Sequence, residues 1–200
     1  MGIILDQFIK NMLPTYLRFG IGAINTLLLF TYFLEKEYYG LVSFLLSAAN
    51  LIWTLMAFGV HNTLVKFYSS YKTKPERDKL LNLILILPLG VSIILGAVGF
   101  LSYNYILNYF EGGNELVQTY VWLIFVIALG TAYFEVFFAW SKVNYQSVFG
   151  NFMKEVFHRI CITLLLLAVY FEIINVQQFI YWMAGVFLFR AVIIMLYACA

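Results

Sequence analysis

Charge is scarce in this sequence. Only 11% of its 200 residues are Asp, Glu, Lys or Arg, less than half of the roughly 25% found in ordinary soluble domains. A soluble globular chain is thereby excluded, and a mean hydropathy of +0.89 agrees. Cysteine is almost absent. The two present, Cys161 and Cys199, both lie in apolar stretches, which excludes a disulfide framework, and no Cys/His cluster has metal-ligand spacing. Alternating segments of about ten residues are missing, which excludes a transmembrane β-barrel. Enzyme signatures are missing too: there is no P-loop, no GxSxG, no HExxH and no pair of carboxylates at catalytic spacing. The chain is therefore expected to be no enzyme, to hold no cofactor or metal and to bind no nucleic acid. A cleavable signal peptide is not expected, because the first apolar run is too long and lacks a small-residue cleavage site. Asp6 stands where a myristoylation motif needs Ser or Thr.

What is abundant is apolar surface. The chain is 64% hydrophobic and 20% aromatic, and its apolar residues run long enough to cross about 30 Å of hydrocarbon at 1.5 Å per residue. The reading is an all-α integral membrane protein with about six transmembrane helices. The expected spans are Leu13–Leu34, Tyr39–Thr63, Leu80–Leu107, Val117–Ser141, Val156–Phe171 and Phe179–Ala200. Residues 1–12 pair Ile3, Ile4, Phe8 and Ile9 with polar neighbours, as a surface-lying amphipathic helix does or as an extension of the first span does. Residues 13–200 form the bundle. Pro88 predicts a kink or weak point in the third span. The bundle ends at Tyr197-Ala198-Cys199-Ala200 without a polar tail, so continuation in a longer parent is expected.

Basic residues set the orientation. With the N-terminus in the cytoplasm, Lys10, Lys66, Lys72, Lys74, Arg77, Lys79, Lys142 and Lys154 fall inside and only Lys36 outside. Ser69–Lys79 reads as a cytoplasmic loop. Its cations either set topology alone or also meet anionic headgroups, at about 1 kcal/mol each.

The second span carries a polar stripe: Ser43, Ser47, Asn50, Thr54 and His61. At about 100° per residue they fall within a sector of roughly 60°. Polar groups facing hydrocarbon need partners, so the stripe either hydrogen-bonds neighbouring helices or forms the wall of a wet cavity, as in a transporter. Charged groups within the spans are Arg18, Glu135, Arg159 and Arg190, joined by His61 and His158. Each costs about 2.5–3.5 kcal/mol at a helix centre unless it finds water or a partner. Arg18, His61, Glu135 and Arg190 all fall in the cytoplasmic half. Arg18 either snorkels or turns inward with Gly22 and Asn25, which share its face. Arg190 snorkels, pairs with Glu135 or lines the cavity. His158 and Arg159 read as structural, with Glu155 and Arg159 at ion-pair spacing. Arginine in a cavity suits an anionic, phosphate-bearing substrate, because its fork matches phosphate oxygens.

Several stretches resemble a known family. In AFGVHNTLVKFYSSY, residues 57–71, Gly59, Leu64, Val65, Lys66 and Phe67 stand where the second-helix exit of polysaccharide flippases has Gly, an aliphatic pair, a basic residue and an aromatic. Tyr39, Gly40 and Ser43 resemble the start of that helix, and AWSKVNYQSVFGNFMKEVFHRICITLLLL, residues 139–167, its fourth-to-fifth connection. The chain thus resembles the multidrug/oligosaccharidyl-lipid/polysaccharide exporter superfamily, which shares its fold with MATE transporters. The resemblance implies a flippase of the bacterial inner membrane that moves undecaprenyl-diphosphate-linked oligosaccharide outward by alternating access between two parallel six-helix lobes. This chain would be the first lobe, its partners being membrane lipids and a second lobe in the same parent or in a dimer. The resemblance is to a family of about twelve to fourteen spans, and the first-helix acid of MATE antiporters is replaced here by Arg18 and Asn25. Two other readings stand beside it: a cation-coupled drug antiporter working through Glu135, and a non-transporting membrane scaffold.

Overall fold

Phe58 and Gly59 break the second apolar run. Both adopt left-handed backbone, with φ of 45° and 71°, a conformation that costs a residue with a Cβ about 1–2 kcal/mol and glycine little. Helix α2 (Lys36–Ala57) therefore stops at Phe58, and a separate helix, α3 (Val60–Phe67), starts beyond it. The Gly59 carbonyl accepts the N–H groups of Asn62 and Thr63 at 3.1 Å, closing the first turn of α3. The single span Tyr39–Thr63 expected from sequence is thus two helices. A glycine inside an apolar run is common in membrane helices, so this break had no clear signature.

The computed structural model describes residues 12, 14, 16–103, 105 and 115–199; the expected amphipathic segment, 1–12, lies outside them apart from Met12. Helix α1 (Tyr16–Phe33) contains a π-helical stretch, Ile24–Leu29. A turn at Leu34 and Glu35 leads into α2. Helix α4 (Lys74–Leu101) opens with a capping box, Thr73 and Glu76 each bonding the other's backbone, and with Pro75 in its first turn. The expected cytoplasmic loop is accordingly shorter than Ser69–Lys79, since Lys74, Arg77 and Lys79 already belong to α4. Helix α4 continues through Pro88 without interruption. Pro88 offers no N–H to the Ile84 carbonyl; one residue on, the Tyr133 hydroxyl donates to the Leu85 carbonyl at 3.3 Å.

A short α5 (Glu115–Tyr120) precedes α6 (Leu123–Val143). There follow α7 (Ser147–Phe152), a second π-helical stretch at Met153–Phe157, α8 (His158–Tyr170) and α9 (Val176–Cys199). No strand occurs among the described residues. Among the described residues five helices are long and apolar enough to cross a membrane: α1, α2, α4, α6 and α9. The expected fifth span, Val156–Phe171, is not among them. Its helical part is the 13-residue α8, which opens with His158 and Arg159, and the π turn leading into it carries Lys154 and Glu155. The fold is all-helical and of the multi-pass membrane kind.

Helix α6 is the hub. It packs most extensively on α9 and α2, and also on α3 and α4. Phe134, Val136, Phe137 and Phe138 are all buried. By contrast α4 exposes Leu83, Ile86, Ile93, Ile94, Val98 and Phe100, a face that only hydrocarbon solvates without cost. Gly130 allows the closest approach: a Cβ there would stand 2.9 Å from the Phe187 carbonyl oxygen and 3.1 Å from the Leu188 nitrogen. These are backbone atoms of α9 and cannot swing aside. Gly130→Ala is expected to destabilise the bundle by about 1–3 kcal/mol, the usual cost of overpacking. Thermal unfolding in detergent checks this, and an unchanged midpoint would contradict the α6–α9 packing.

Candidate functional site

Helices α1, α2, α6, α8 and α9, with the π stretch before α8, enclose a cavity of about 590 Å³. Its charged lining consists of Arg18, Glu135, Lys154, Glu155, Arg159 and Arg190, with His158 among them. Four cations thus face two carboxylates. Ser47 and Asn50 form the α2 side and are exposed.

Two ion pairs cross the cavity, both from the π stretch Met153–Phe157. Lys154 Nζ meets Glu135 Oε1 of α6 at 2.6 Å, and Glu155 Oε2 meets Arg18 Nη1 of α1 at 2.8 Å. Adjacent residues thereby tie one turn to opposite walls. Two sequence expectations are corrected here. Glu155 pairs with Arg18 and not with Arg159, and Glu135 pairs with Lys154 and not with Arg190.

Arg190 is buried, at 4% exposure, so it does not snorkel. Its guanidinium lies over the rings of Phe134 at 4.2 Å and Phe187 at 5.2 Å, where the π faces offset part of its lost hydration. Its Nε makes no hydrogen bond, nor does Nε of Arg159. Arg159 rests against α1, where Gly22 leaves room: a Cβ at Gly22 would collide with the Arg159 guanidinium. The backbone of Arg159 is also fixed. Asn25, 4% exposed, donates from Nδ2 to the Arg159 carbonyl at 3.1 Å and accepts from the Thr163 hydroxyl at 2.8 Å.

Both π stretches border the cavity. One carries Asn25 and Thr26, the other Lys154 and Glu155. A π turn bonds i to i+5 and admits one extra residue, a device often found at functional sites. Here it lets neighbouring side chains share a wall that a regular helix would divide between faces.

The structure brings Arg18, Asn25, Ser47, Asn50, Glu135 and Arg190 to the cavity. It does not bring Ser43, Thr54 or His61 there. Thr54 is exposed and donates to the Leu51 carbonyl of its own helix, and Ser43 is exposed as well. His61 lies beyond the break at Phe58–Gly59 and stacks on Trp53 with ring centroids 5.8 Å apart. The stripe is therefore not a continuous wall. Asn50 is also engaged, accepting from Trp53 Nε1 at 2.8 Å.

Sequence reasoning passed over Lys154 and Glu155 as cavity residues and gave His158 and Arg159 a structural role. The signal was present: Lys154 and His158, like Glu155 and Arg159, are four apart and make two adjacent rows on one helix. No family model, curated protein or solved structure matches this chain. The cavity's own chemistry therefore carries the functional reading. An excess of positive charge on the cavity wall, with Arg190 buried and outside any ion pair among the described residues, suits an anion.

Proposed function

We propose that this chain is a helical lobe of a membrane flippase that moves an anionic, diphosphate-linked lipid oligosaccharide across the bacterial inner membrane by alternating access. The observation that supports it most is the cavity in which four cations meet two carboxylates. The N-terminus lies in the cytoplasm, in keeping with the basic residues Lys66, Lys72, Lys74, Arg77 and Lys79 around the start of α4. A second lobe, in the same parent or in a dimer, covers the exposed polar face of α2, where Ser43, Ser47, Asn50 and Thr54 would otherwise meet lipid.

The antiporter reading needs a carboxylate free to take a cation, and Glu135 is held by Lys154. The scaffold reading needs a dry stripe, and a cavity stands behind Ser47 and Asn50. In cells that depend on the protein, Arg18→Ala and Arg190→Ala are expected to abolish cell-surface polysaccharide at normal protein level. The first leaves Glu155 as an unpaired negative charge in the path; the second removes a cation. Normal export in both variants would refute the proposal. Ion-dependent dye efflux lost in Glu135→Gln would select the antiporter.

A further inference from the structure

We propose that the wall built by α8 and α9 is a subsite for a doubly charged tetrahedral oxyanion, held by Arg159 and Arg190 with His158 beside them. The inference rests on the cavity being an anion site and names where in it the ligand's charge sits, and how much.

Arg18 and Lys154 are engaged, each with a carboxylate within 2.8 Å. Arg159 and Arg190 have no carboxylate within ion-pair distance among the described residues. Glu135 and Glu155 lie within electrostatic reach of Arg190, and Glu155 within reach of Arg159, but as the ion-pair partners of Lys154 and Arg18. A buried guanidinium without partners is expensive, and cation–π contact repays only part of it: it uses the face of the Arg190 fork and leaves the N–H edge unspent. Arg190 Nε and Arg159 Nε are buried and unbonded, and both residues line the same cavity as His158. The arginines are also held in place. Phe134 and Phe187 stack on one; Gly22 makes room for the other, and Asn25 fixes its backbone. Two positioned forks with no ion-pair partner of their own match the oxygens and the two negative charges of a phosphate monoester, a terminal diphosphate or sulfate. A monoanion would leave one arginine uncompensated.

The test uses sulfate and methanesulfonate, which share the tetrahedral sulfur–oxygen head but carry fixed charges of two and one. Titrated calorimetrically against the full chain in nanodiscs of neutral lipid, sulfate is expected to bind at least about tenfold more tightly. Arg159→Gln and Arg190→Gln are each expected to weaken sulfate about tenfold and to erase most of that preference. Gly22→Ala, which keeps every charge but displaces the Arg159 guanidinium, is expected to weaken sulfate without unfolding the helix, since alanine is the better helix former. Competition for sulfate by a phosphate-monoester lipid added to the nanodisc assigns the site to a lipid headgroup; sulfate binding untouched by that lipid assigns it to a free anion. Equal affinity for the two sulfur anions, absence of binding by either, or a preference unchanged in both arginine variants would overturn the subsite. A sulfate preference that is intact while export survives Arg18→Ala and Arg190→Ala would overturn the flippase reading and leave the subsite standing.

Discussion

Arg190→Met is expected to leave the protein folded at least as firmly as before while anion affinity falls about tenfold or more. The two effects part because of where Arg190 sits. It is 4% exposed, forms no ion pair among the described residues and leaves its Nε unbonded. Removing such a charge relieves a desolvation cost, and Met refills the space between Phe134 and Phe187 with a chain of similar length that also contacts aromatic rings well. Replacing buried ionic groups with apolar ones of similar volume is often neutral or stabilising. Thermal unfolding with and without sulfate reads both quantities. A large fall in the unfolding midpoint without sulfate would mean that the guanidinium supports the fold and is not reserved for a ligand.

Glu135→Leu is expected to act in the opposite sense on both counts. The side chain is 8% exposed and holds Lys154 at 2.6 Å. His61 and Lys142 also lie within its electrostatic reach, from α3 and from the end of α6, as does Arg190 from α9. Its loss leaves Lys154, Lys142 and Arg190 facing one another; Lys154 is 38% exposed, so the expected destabilisation is about 1–3 kcal/mol, below that of a fully buried broken pair. With one carboxylate fewer the cavity is more positive, so sulfate binds more tightly, and added sulfate should raise the unfolding midpoint more in the variant than in the parent. Glu135→Gln, closer in shape, gives the same signs if the leucine variant does not accumulate. Weaker sulfate binding in either variant would show that Glu135 arranges the anion site and does not oppose it.

The membrane-helical class was legible in the scarcity of charge and the length of the apolar runs, since burial in lipid leaves few other options. The cavity was partly legible. Arg18, Asn25, Glu135 and Arg190 stood out because a charge or amide inside an apolar run needs a reason to be there, and the structure places all four on one cavity. What one chain cannot reveal is which helix stands opposite which. Arg159 and His158, judged by depth alone, looked like interface residues, yet α1 reaches Arg159 through Asn25 and Gly22, and His158 lines the same cavity. Angular reasoning placed Ser43 and Thr54 correctly on the side of Ser47, but the cavity does not run the length of the helix. For His61 that reasoning failed at its premise, since two left-handed residues separate it from α2.

The π stretch at Met153–Phe157 makes the site a matter of phase. His158, Arg159 and Ile162 face the cavity because the helix holds one residue more there than regular winding requires. Wound as ordinary α-helix, the same residues would turn the rest of α8 by about 100°. Arg159 would leave the lining with its own sequence unaltered. Among proteins built on this plan, the winding of that turn is therefore as diagnostic of the site as the arginine itself.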